Sequence, residues 1–132
     1  MYKNFGQFID GKWQKSASNE TYDVINPATE ELIGKASKAG TKDVQLALKS
    51  AKKGLEIWKN TSPWERSKVL RKISELIREK TKSLSKWLTL EVGKPISESP
   101  GEVSGAADIF EWNAEETKRI FGETNQSRFP NT

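Results

Sequence analysis

The hydrophobic period of this chain changes from 2 to 3.6 near residue 40, and that switch constrains its fold more than any other feature. Before it, short apolar runs are separated by turn signals. Gln7-Phe8-Ile9-Asp10-Gly11-Lys12-Trp13 reads as a tight hairpin. A type I′ turn needs positive φ at both central residues, and Asp-Gly supplies it. Phe8 and Trp13 are the expected buried residues flanking that turn. Ser16 to Asn19 is a polar loop. Tyr22-Asp23-Val24-Ile25 is a second β-rich run. Asn26-Pro27-Ala28-Thr29 turns the chain, since proline fixes φ and biases the residue before it away from helix. Leu32-Ile33-Gly34-Lys35-Ala36 then returns as a strand. A small antiparallel element over residues 6–37 is expected.

After residue 40 the apolar positions recur at helical spacing. Thr41 reads as an N-cap, with Asp43 favourable to the dipole in the first turn. Val44, Ala47, Leu48, Ala51, Leu55 and Trp58 form the first stripe. Ser62-Pro63-Trp64-Glu65 restarts the helix with a serine cap, proline at the first helical position and glutamate closing a capping box. Val69, Leu70, Ile73, Leu76 and Ile77 form the second stripe. A shorter helix follows, with Leu84, Trp87 and Leu88 inward, ended by Gly93-Lys94-Pro95. The last helix starts either at Pro95 or at Ser99-Pro100-Gly101-Glu102, where the capping-box spacing recurs. Its stripe is Val103, Ala106, Ala107, Phe110 and Ala114, with Ile109 and Trp112 off it and Gly122 as its end. The helices together are expected over 41–121.

Several chemistries are excluded outright. Among the 132 residues there is no cysteine and no histidine. Thiol nucleophiles, serine–histidine pairs and zinc sites built from these ligands cannot be carried by this sequence alone. Asp108, Glu111 and Glu115 share one helical side, yet without a matching set from another helix they make no metal site. The glycines never form GxGxxG or a P-loop. The five tryptophans occupy packing positions before they suggest a stacking platform.

The net charge of +4 is unevenly placed. Residues 40–86 carry 13 Lys/Arg against 5 Asp/Glu, and residues 87–123 carry 3 against 8. A basic segment of this kind admits a binding module for nucleic acid or an acidic protein partner. The helical spacing of the charges favours two solvated helix faces of opposite sign, set against each other. No run approaches the roughly 18 apolar residues that span a bilayer, and Met1 to Phe5 has no secretory h-region. The absence of cysteine fits a reducing cytoplasm, so a cytoplasmic location is expected.

Leu90-Glu91-Val92-Gly93-Lys94-Pro95 resembles the aldehyde dehydrogenase superfamily. So do Gly101-Glu102-Val103, Trp112, Ala114-Glu115-Glu116-Thr117-Lys118-Arg119-Ile120 and Gly122-Glu123-Thr124, in that order. The front end matches as well, through Phe8-Ile9-Asp10-Gly11-Lys12-Trp13 and Asn26-Pro27-Ala28-Thr29-Glu30-Glu31-Leu32-Ile33-Gly34. The nearest flavour is that of the bacterial succinate-semialdehyde dehydrogenases. The resemblance covers the amino-terminal segment of such an enzyme. It implies an intact enzyme that oxidises an aldehyde to a carboxylic acid with NAD or NADP, using a cysteine, an asparagine, a glutamate and a glycine-rich segment beyond residue 132. No catalytic or cofactor-binding residue carries over to this chain, which is expected to be inactive alone.

By the same resemblance, Gly105, Ala106 and Ile109 would border the substrate tunnel, with helix packing as the competing reading. Glu91 and the Ile25 carbonyl are the nearest matches to a monovalent-cation site found in some members. The expected fold is α+β as it stands, a short antiparallel β element then four helices, within what would be a Rossmann-like α/β cofactor-binding domain. Residues 1–124 belong to that domain part, and 125–132 form a loose tail. Helix faces made to cover a missing sheet should drive self-association, to a dimer or higher oligomer. An intact dehydrogenase chain is the other expected partner.

Overall fold

A computed structural model of the chain describes residues 6–122 together with 127 and 128. The expected tail therefore lies, apart from Ser127 and Arg128, outside the described residues. Positive φ at Asp10 (51°) and Gly11 (75°) closes the first hairpin. β1 (Gln7–Ile9) pairs antiparallel with β2 (Lys12–Gln14), and Phe8 stands opposite Trp13. β3 (Thr21–Ile25) pairs antiparallel with β4 (Leu32–Ser37), with a register irregularity between Val24 and Ile25. These are two separate two-stranded sheets. The rings of Phe8 and Trp13 lie 5.2 Å apart, but they are 60% and 63% exposed rather than buried. The sequence pattern identifies a packing face, and a two-stranded ribbon has no second layer of its own to cover it.

α1 spans Thr41–Lys59, and its N-cap is Gly40 rather than Thr41. The carboxylate of Asp43 explains the shift. It accepts the Gly40 amide at 2.8 Å and the Ala17 amide at 2.9 Å. One buried side chain thus closes the first turn of α1 and ties it to the loop after the first hairpin. The Gly40 amide holds the Asp43 carboxyl below its ordinary pKa; burial opposes this, and the Ala17 amide and Gln7 side chain reinforce it. A depressed carboxylate contributes stability above its unfolded pKa and loses it as pH falls through the folded value. Asp43→Asn should therefore be less stable than the parent above about pH 4. The gap should shrink on further acidification, as followed by circular dichroism across a pH series.

α2 (Pro63–Glu79) is capped by Ser62, whose Oγ accepts the Glu65 amide at 3.2 Å. The other half of the expected box is missing, because the Glu65 carboxylate turns to Lys68 Nζ at 2.7 Å. α3 (Thr81–Val92) ends at Gly93 with φ 75°. A Cβ there would also lie 2.9 Å from Pro27 Cγ and 3.0 Å from the Ala28 amide nitrogen. Glycine is thus required both by the left-handed cap and by the turn packed against it.

α4 (Ser99–Glu116) has Glu98 at its N-cap, without a side-chain cap bond. The serine expected to cap it is instead the first helical residue and fully buried, its Oγ 2.7 Å from Thr89 Oγ1 on α3. A short 3-10 turn, Thr117–Arg119, follows, so the helical region stops before Gly122.

α2 and α4 make the main interhelix contact, with α3 packed against α4. The residues that disappear from solvent there are small. Ser67 and Ser74 are buried on α2, and Val103, Ala107 and Ala114 on α4. The seven-residue steps from Ser67 to Ser74 and from Ala107 to Ala114 place these at successive levels of one antiparallel helix pair. The large side chains that the stripes predict as core point elsewhere: Val44, Leu48, Leu55, Val69 and Leu76 are all exposed. The sequence makes core-forming faces and the chain leaves many of them bare.

Candidate functional site

α1 shows the bare faces most clearly. Val44, Leu48, Ala51, Leu55 and Trp58 follow a 4-3-4-3 spacing along one side. Leu48 and Leu55 are 60% and 58% exposed. The first hairpin lies along the flank of this seam, against Ala47, Ser50 and Ala51. Only Trp58 at the far end finds a partner of another kind, with the Arg66 guanidinium 5.8 Å from its ring centre. Arg66 Nε also donates to the Thr61 carbonyl at 2.9 Å, which fixes the link from α1 to α2.

The opposite-sign segments do face each other. Arg78 donates to Asp108 at 2.6 Å and to Glu111 at 2.9 Å, and Arg71 pairs with Glu115. Asp108 and Glu111 raise the pKa of Arg78 further. Lys118 chiefly, and Arg71 after it, hold Glu115 below its ordinary pKa, with burial opposing. The carboxylates at 108, 111 and 115 are thus committed to an interhelix ion ladder. Among the described residues no group of three or more Asp, Glu, Cys or His is placed to hold a metal ion.

The residues singled out from sequence fall in three places. Glu91, in the last turn of α3, lines an apolar groove of about 460 Å³ with Leu84, Trp87, Leu88, Val103 and Ala106. Ile25 ends β3 and is half exposed. The contact of Gly93 with Pro27 and Ala28 brings the end of α3 against the turn that follows Ile25. Ile109 lies instead on a second groove, with Trp58, Arg66, Leu70, Phe110 and Ile120. Gly105 is half-buried, and a Cβ added to it would meet nothing within 4 Å. Ala106 and Ile109, one turn apart on α4, therefore line two different grooves. Asp43 was missed as a tie between segments; its position three residues after a glycine cap was the available signal.

The described residues thus combine two small hairpins and four helices with uncovered apolar faces. The sequence pattern of the aldehyde dehydrogenase family matches residues 13–132, and the chain belongs to that family. It is 42% identical over 117 residues to the glutarate-semialdehyde dehydrogenase of Pseudomonas putida, covering 89% of this chain and 24% of that one. It is 39% identical over 116 residues to the NADP(+) succinate-semialdehyde dehydrogenase of Escherichia coli, covering 88% and 24%.

Among solved structures, the succinate-semialdehyde dehydrogenase of Burkholderia pseudomallei superposes with a TM-score of 0.88 at 34% identity, over 98% of this chain and 27% of that one. An NAD-dependent aldehyde dehydrogenase from Sinorhizobium meliloti gives 0.89 at 30% identity, over 93% and 25%. The chain spans about a quarter of the length of the curated relatives it matches. Among the described residues no helix is long and apolar enough to cross a membrane.

Proposed function

We propose that this chain is the amino-terminal covering layer of an NAD(P)-dependent semialdehyde dehydrogenase, and that its bare helix faces dock on the remainder of that enzyme. The observation that carries this reading is the excess of exposed apolar surface on a backbone that superposes on intact dehydrogenases. Oxidation of the semialdehyde to a dicarboxylate belongs, on this reading, to the assembled protein. The dinucleotide also binds elsewhere in it. A helix N-terminus holds a phosphate through free first-turn amides, and here Asp43 and Ser62 already engage the amides at the starts of α1 and α2. Those two helix starts are thereby less suited to a phosphate, and on this reading no catalytic step is routed through the described residues. Alone, the chain associates with itself or with a longer family member, in the cytoplasm.

A graft tests this directly. Residues 13–122 of this chain replace the matching segment of the Pseudomonas putida relative. The graft should reduce NAD(P) with glutarate semialdehyde, and the isolated chain should not. A graft that folds by circular dichroism and gel filtration yet turns over no semialdehyde would contradict the proposal.

A further inference from the structure

A cleft of about 650 Å³ separates the first hairpin from α1. It lies away from the bare seam of Val44, Leu48 and Leu55. Its floor is apolar, formed by Ile9 and Leu46, and its polar lining includes Gln14 and Ser50. Lysines stand on both walls, Lys12 on β2 and Lys49 and Lys53 on α1, where a spacing of four puts the latter two on one face. Asp10 is the one carboxylate among the lining residues. It approaches Lys53 at 3.8 Å, beyond direct hydrogen-bond distance. Among the described residues Lys12 and Lys49 have no ion-pair partner.

Elsewhere the chain pairs its cations freely, as Arg71, Arg78, Lys94 and Lys118 show. Three lysines gathered around a concave apolar floor with a single carboxylate are a different arrangement. A monoanion would answer one wall. A molecule with two acidic ends and an apolar middle would answer both walls and cover Ile9 and Leu46.

We propose that the hairpin–α1 cleft binds a small organic dianion, gripped by Lys12 from one side and by Lys49 and Lys53 from the other. Carboxylate and phosphate share this chemistry, and the probes separate them. Isothermal titration of the full 132-residue chain at low salt uses glutarate in one arm and glycerol 2-phosphate in the other. Saturable one-to-one binding of at least one probe is expected, with the tighter probe assigning the acid. The double variant Lys12→Gln/Lys49→Gln should weaken it by about tenfold or more.

Asp10→Asn removes the competing carboxylate while keeping a residue that tolerates positive φ. It should tighten binding, an effect that loss of folding cannot mimic. The absence of saturable heat with both probes would overturn the proposal. So would affinity that the lysine and Asp10 variants leave unchanged. Preferential binding of a 12-mer oligonucleotide, with a steep salt dependence, would replace the small dianion with a polyanion and equally overturn it. Neither arm depends on dehydrogenase turnover, so this result and that of the graft fail separately.

Discussion

Replacing Ala107 by leucine should separate α2 from α4 and unfold most of the helical layer. Ala107 is fully buried, as is Ala114 one heptad later, and buried serines answer them on α2. Arg71 and Arg78 reach Glu111 and Asp108 across the same contact, which fixes its antiparallel register. Three added carbons at Ala107 have no void to enter. They force the helices apart, at a cost of about 1–3 kcal/mol. In an ordinary domain that is a fraction of a stability of about 5–15 kcal/mol. Here the buried hydrophobic residues among those described are Val103, Ala107 and Ala114, so the margin is small and the same cost is decisive.

The comparison variant is Leu48→Met, at a site 60% exposed, which should leave the transition unchanged. Urea denaturation followed by circular dichroism reads both. The expected order reverses the usual one, with the small residue sensitive and the large apolar one tolerant.

The reason is visible in how sequence and structure diverge. The hairpin at Asp10-Gly11, the left-handed end at Gly93 and the helix start at Ser62 were legible because each depends on a local conformational rule. The four stripes were legible as apolar faces, but their destination was not. Periodicity shows that Val44, Leu48 and Leu55 need a partner surface; it does not say whether that partner is in the same 132 residues. The core that does form was hidden for the opposite reason. Serines 67, 74, 85 and 99 are buried because small side chains let helices approach closely, and hydropathy gives a serine no weight.

The caps at Thr41 and Ser99 were misplaced for a related reason. Long-range contacts, from Asp43 to Ala17 and from Ser99 to Thr89, decide those positions. Of the site residues, Glu91 and Ala106 line one groove, whereas Ile109, one turn on from Ala106, lines another.

The second large effect concerns association. Leu48 and Leu55 occupy the centre of the α1 seam and have no cover within the chain. Apolar surface removed from water contributes about 25 cal/mol per Å². A specific interface of standard size buries about 1,600 Å², and Val44, Leu48, Leu55 and Trp58 are exposed along the α1 seam to offer such a surface. At micromolar concentration and above, the isolated chain should sediment as a dimer or larger species. Leu48→Glu/Leu55→Glu places charges where a partner would have to bury them, and it should return the chain to a monomer while leaving the α2–α4 pair folded. A monodisperse monomer before any substitution would contradict this expectation. An oligomer unaffected by the double variant would place the association on another face.

Hydrogen exchange at the α1 amides, compared between the isolated chain and the graft, tests the covering-layer account most directly. An uncovered helix opens locally at little cost, whereas a helix docked on a sheet exchanges through much rarer openings. Measured below the concentration at which the chain associates, the amides of Val44 to Trp58 should exchange on the order of a hundredfold or more slowly in the graft. Equal protection in the two settings would mean that α1 is already as stable without the rest of the enzyme, and the account would be wrong.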